Sequence, residues 1–211
     1  MASTARENIL NKIKQALLKP VPVPFPASEN NESVFLPSQQ ELEVEFAENF
    51  TKLEGRFSFC ADEKELVTQL QALIATRKWT KIFSRETAMQ NKLSQAGFTT
   101  VYADDVATCD AAITGCESLI ARTGSMVMSS AQLSGRTVSV YAPVHICIAY
   151  TDQLVYEISE GLQQLREGYA QQFPSLVTLA TGPSRTADIE KTLVVGVHGP
   201  KEVFCFLVDR N

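Results

Sequence analysis

Apolar positions along this chain recur with two different periods, and each change of period marks an element. Over residues 4–18, Ile9, Leu10, Ile13, Ala16 and Leu17 share one helical face, with Thr4 and Glu7 at capping-box spacing. The spacing predicts an amphipathic helix that Arg6, Lys12, Lys14 and Lys19 make basic. Pro20-Val-Pro-Val-Pro-Phe-Pro26 forbids helix and predicts a semi-rigid extended arm. Leu42, Phe46, Ala47, Phe50 and Leu53 return to helical spacing among glutamates, which predicts a second amphipathic helix with a solvated acidic face. Residues 1–55 therefore read as a helical arm with a Pro-rich linker, and 56–211 as the folded domain.

From residue 55 onward strand and helix patterns alternate. Strands are expected at 55–60, 79–84 and 98–102, and helices at 62–76 and 87–96, the second stopped by Gly97. Between 119 and 150 apolar runs follow one another without helices: Leu119-Ile-Ala, Met126-Val-Met, Val138-Ser-Val-Tyr and His145-Ile-Cys-Ile-Ala-Tyr150. A helix at 159–173, a buried strand at 176–180 and a closing strand at 203–208 complete the order. Alternation of this kind predicts an α/β fold with a mainly parallel sheet flanked by helices, and the helix-free cluster predicts a small antiparallel portion.

Composition narrows the function classes. A net charge of -5 over 211 residues, with no long basic stripe, argues against nucleic acid as a partner. No apolar run reaches the ~20 residues of a membrane span and no secretory leader is evident, so a soluble, cytoplasmic protein is expected. Cys60, Cys109, Cys116, Cys147 and Cys205 are scattered without metal-ligand spacing, so no metal or cofactor of its own is expected. There is no GxGxxG and no Walker motif.

The candidate chemistry lies late in the chain. Thr181-Gly-Pro-Ser-Arg-Thr-Ala-Asp-Ile-Glu190 follows a strand and carries helix-start residues, so Gly182, Ser184, Arg185 and Thr186 can present N–H groups and a guanidinium to an anion. The same residues serve as well in a capped turn, with Asp188 pairing Arg185 and competing for the helix end. Thr123-Gly-Ser125 is a tight turn able to hold an anionic oxygen or simply to reverse the chain, so Thr123, Gly124 and Ser125 join the ligand-binding candidates. His198, between Gly196 and Gly199, is placed to exchange a proton near neutral pH or to anchor its loop, and Gly199 completes the set. His145 lies inside an apolar strand and reads as a core histidine; Arg136 reads as a surface charge. These loops are expected to meet over one edge of the sheet, around a small carboxylate or phosphate.

Ala121-Arg-Thr-Gly-Ser125, Tyr141-Ala-Pro-Val-His-Ile146 and the run from Thr181 through Gly196-Val-His-Gly-Pro200 together resemble the lactate-utilisation C protein family, the LUD domain group. The resemblance covers roughly residues 60–211. It implies the fold of the glucosamine-6-phosphate isomerase, ribose-5-phosphate isomerase and CoA-transferase group. It also implies a non-redox accessory subunit, working with two iron–sulfur partner proteins in bacterial oxidation of L-lactate to pyruvate. Glu117 stands where members of the family often have aspartate and is carried over as a catalytic candidate beside His198. Arg122 stands where many have an acid, which removes an acid/base role there. The fold analogy leaves two rivals, a stand-alone sugar-phosphate isomerase-like or CoA-transferase-like enzyme and a pure assembly protein.

Overall fold

The computed structural model describes residues 5–18, 37–38, 40–186 and 194–210. It divides into two units, Met1–Pro37 and Ser38–Asn211. The first holds the basic helix α1 (Ala5–Leu17), on which Ile9, Leu10, Ile13 and Leu17 are exposed. The Pro-rich arm lies outside the described residues. Helix α2 (Leu42–Lys52) belongs to the second unit: Phe46 and Phe50 are wholly buried in its core, stacked with ring centroids 5.4 Å apart. The boundary expected at residue 55 thus falls between Pro37 and Ser38, because α2 carries core aromatics rather than a strap.

A five-stranded parallel sheet lies at the centre of the second unit. Its strands are β1 (Arg56–Cys60), β2 (Ile82–Phe83), β3 (Ala111–Thr114), β6 (Val144–Tyr150) and β11 (Glu202–Val208), in the order β1-β11-β6-β3-β2. Side chains alternate across it. On β6, Val144, Ile146, Ile148 and Tyr150 meet helices α3 (Glu63–Arg77) and α4 (Thr87–Gln95) through Leu66, Leu70 and Leu93. On the other face, Cys147 and Ala149 meet Leu119, Met126 and Met128 of a second sheet and the two α2 phenylalanines. That second sheet joins β4 (Ser118–Ile120), β5 (Ser125–Ser129), β7 (Leu154–Val155) and β8 (Val177–Ala180) in the order β7-β4-β5-β8, antiparallel except for β4 with β7. Helix α6 (Ile158–Gly168) covers its outer face, brought close by Gly161 against Ile120 and Ser118. Among the described residues no helix is long and apolar enough to cross a membrane.

Three local expectations change. Val138–Tyr141 is a helical turn, α5, not a strand: Val138 and Ala142 are both buried in one cluster, four residues apart, while Tyr141 is exposed. In 98–102 only Tyr102 pairs, by a single bridge to Ile82. Strand β8 is the half-exposed edge of the second sheet rather than a buried strand.

Three glycines receive α2. A Cβ on Gly55 would stand 2.5 Å from the Phe50 ring, one on Gly124 2.5 Å from the Phe50 backbone nitrogen, and one on Gly182 would collide with the Leu53 carbonyl. Gly124 also has φ +58. Gly124→Ala therefore adds a clash with helix backbone to conformational strain, and its expected cost is about 3 kcal/mol or more. Gly97→Ala, at φ +96 in open space, suffers the strain alone and should cost about 1 kcal/mol. Urea unfolding of both variants tests this, and equal losses would refute the seat.

Candidate functional site

The candidate residues fall on opposite edges of the parallel sheet. At its amino edge the Thr123–Ser125 turn is closed by its own hydroxyls: Thr123 Oγ1 lies 2.8 Å from Ser125 Oγ, which lies 2.8 Å from Thr181 Oγ1. From above, Asn49 of α2 donates to the carbonyls of Ala121 and Arg122 at 3.0 and 3.1 Å. Arg122 itself pairs with Glu157 at 2.7 Å. Arg185 donates to the Leu53 carbonyl at the end of α2 and stands 3.7 Å from Glu54 Oε2. A cation at a helix C-terminus is favoured by the exposed carbonyls there, so Arg185 acts as a cap for α2. Arg185 and Thr186 form the short strand β9 (Arg185–Thr186), opposite β10 (Val194–Val195). The helix expected just after them falls on residues outside those described.

Ser184 ties this segment to the late glycine loop. Its N–H donates to the Pro200 carbonyl at 3.0 Å and its carbonyl accepts from Gly196 N–H at 2.9 Å, while a Cβ on Gly199 would meet its side chain at 2.9 Å. Residues 181–185 thus bridge the serine turn and the glycine loop, but through hydrogen bonds internal to the fold. His198 is exposed beyond them, beside Tyr141 and Lys201 in an open cleft of about 460 Å³. A larger cleft of about 760 Å³ lies between α2 and β1, lined by Glu41, Glu43, Val44 and Phe59.

Glu117 is elsewhere, at the carboxyl edge just after β3. Its Oε1 accepts from Ser129 Oγ at 2.5 Å and from the Tyr169 hydroxyl at 3.2 Å. Burial, then the negative charge of Glu117 and its hydrogen bond, push the Tyr169 phenol above its usual value. Nearby on the same edge is Glu86, which sequence reasoning passed over. It accepts from Gly115 N–H at 2.8 Å and from Ser134 Oγ, joining the ends of β2 and β3 to the loop after β5. The signal that could have found it is its place between a parallel strand and the helix that follows, where α/β sheets gather ligands.

Between the two sheets the polar groups are neutral. His145 is 1% exposed, with Nε2 2.8 Å from Thr114 Oγ1. Burial lowers its pKa from 6.5 to about 4. Contact with Cys147, together with burial, pushes the Cys116 thiol well above its usual value, and on the helix-covered face of the parallel sheet burial pushes Cys60 up to about 12. These thiols pack as small hydrophobes.

Two titrations follow from these contacts. An unfolded histidine binds a proton near 6.5 that the folded His145 refuses until about 4, so stability should fall as pH drops through that window, by up to about 3 kcal/mol. His145→Gln should remove that share of the slope in urea midpoints measured between pH 7 and 4; an unchanged slope would refute it. Glu117→Gln should lower the Tyr169 pKa, read by NMR of ring-labelled tyrosine, without returning it to the solvent value, because burial remains.

The sequence profile of the LUD domain matches residues 44–208, from within α2 to the end of β11. Lactate utilization protein C of Bacillus subtilis is 37% identical over 101 residues, 46% of this chain and 42% of that protein. The protein of the same name from Macrococcus caseolyticus is 36% identical over 99 residues, 46% of this chain and 43% of its own length. An uncharacterized protein of Neisseria meningitidis is 38% identical over 97 residues, 44% of this chain and 40% of its own. The matched stretch thus spans less than half the length of these relatives. In fold, the chain is similar to the crystal structure of a DUF162 family protein from Deinococcus radiodurans, with TM-score 0.60 and 18% identity over 82% of this chain and 99% of that one. With the profile spanning nearly the whole second unit, this chain belongs to the LUD domain family.

Proposed function

We propose that this chain is a non-redox accessory subunit of a bacterial lactate-utilisation system. It works in the cytoplasm beside iron–sulfur proteins that carry electrons from L-lactate as it becomes pyruvate. The observation that carries this reading is the LUD match over residues 44–208, together with the similarity to relatives named for lactate utilisation. The chemistry of the described side chains agrees with an accessory role. The thiols of Cys60 and Cys116 are buried with raised pKa, which disfavours the thiolate that a nucleophile or a cluster ligand needs. The carboxylates of Glu86 and Glu117 each hold donors of the fold itself, joining loops across the sheet edge.

In a host lacking the chain, growth on L-lactate as sole carbon source should fail, growth on pyruvate should be kept, and the wild-type chain should restore the defect. A tagged chain drawn from lactate-grown cells should bring iron–sulfur proteins with it, seen by their iron content and visible absorbance. Normal growth on L-lactate without the chain, together with a pull-down free of iron, would overturn the proposal.

A further inference from the structure

We infer that the cleft around Lys201 and His198 is a binding site for a small organic carboxylate with an apolar body. The inference goes beyond the accessory role and does not depend on it. The cleft, about 460 Å³, falls within the ~300–1,000 Å³ of small-molecule sites. Among the described residues that line it, Lys201 is the cation, His198 and Tyr141 add an imidazole and a phenol, and none is a carboxylate. Among the described residues Lys201 and His198 make no ion pair, and the N–H groups of Val197, His198 and Gly199 make no backbone hydrogen bond. Backbone N–H groups left without a backbone partner next to a cation are donors that an oxyanion can use.

The walls are tied together by contacts of the fold itself. Lys201 N–H donates to the Pro143 carbonyl at 2.8 Å, joining the glycine loop to the turn that ends α5. Gly196, at φ +80, leaves the space that the Lys201 side-chain stem occupies; a Cβ there would collide with its Cγ. Ser184 and Pro200 hold the loop from behind. The remaining lining is apolar, with Tyr141, Pro143 and Val197, and both Tyr141 and Val197 are exposed. A cation with apolar flanks selects a carboxylate that carries hydrocarbon or a ring. A bare phosphate would leave Tyr141 and Val197 without a partner.

The test is amide NMR of the full chain titrated with sodium benzoate, hexanoate, acetate and inorganic phosphate. Benzoate and hexanoate should shift the amides of residues 197–201 along saturating curves, at least about tenfold tighter than acetate or phosphate. Lys201→Ala should weaken benzoate by about tenfold or more while Lys201→Arg keeps it, and Tyr141→Ala should weaken benzoate but not acetate. Both side chains are at the surface, so the dispersion of the spectrum reports directly that each variant is folded. Phosphate binding as tight as benzoate would overturn the ligand class. Benzoate binding indifferent to Lys201→Ala, or no shift at 197–201, would overturn the site. Either result leaves the lactate-growth and pull-down measurements untouched, so the two proposals fail separately.

Discussion

The rest of the second unit depends on how closely the backbone of α2 can approach two turns. Phe46 and Phe50 are the aromatic filling between the sheets, and each reaches the core only if the helix axis lies low over Gly55, Gly124 and Gly182. Truncating a buried phenylalanine costs about 3–5 kcal/mol, so the two together hold a large share of a marginally stable fold. The Thr-Gly-Ser and Thr-Gly-Pro strings owe their form to this. A residue with a Cβ at Gly124 or Gly182 would lift the helix, and the hydroxyls of Thr123, Ser125 and Thr181 satisfy one another under it. Arg185 then covers the last carbonyl of the helix. Residues whose types suit an anion are, in this fold, a seat and a clasp for a helix.

Much of the architecture was legible because the burial is one-sided or complete. The runs at 145–150 and 203–208 are apolar at nearly every position, as strands covered on both faces must be, and they form the middle of the sheet. The helices at 62–76 and 87–96 carried apolar residues at helical spacing and appear as α3 and α4. Strand β3 was missed because the two alanines of the short Ala-Ala-Ile-Thr run dilute the strand preference of Ile113 and Thr114; its place comes from pairing with β2 and β6, which no local window contains. Val138-Ser-Val-Tyr misled for the opposite reason. Its β-branched residues look like a strand, while the burial of Val138 and Ala142 demands helical spacing.

The site was legible as residue types but not as placement. Nothing in the local sequence says which edge His198 or Glu117 occupies, and only the topology puts the first before β11 and the second after β3, on opposite edges. Glu86 was hidden because its partners, Gly115 and Ser134, are 29 and 48 residues away. Arg185 read as an anion grip because the α2 terminus that it caps lies 132 residues earlier. Pairing over such distances leaves no trace in local spacing.

The two edges also differ in what they can attract. Ligands of α/β sheets gather at the carboxyl edge largely because helix N-termini point there with partial positive charge. In this chain that charge is already met from within. Asp62 accepts from Glu65 N–H at the start of α3, Glu63 and Glu65 occupy its first turn, and Glu86 stands at the N-cap of α4. An incoming anion would meet carboxylates before it met N–H groups. At the amino edge the balance is reversed. Glu202 is held by Arg56 at 3.0 Å and Arg77 at 2.7 Å, two cations to one acid, and the next residue back, Lys201, has no carboxylate among the described residues of its cleft. The side of the sheet that the general rule for this architecture would pass over is therefore the one where the described residues leave a lysine without an acidic partner.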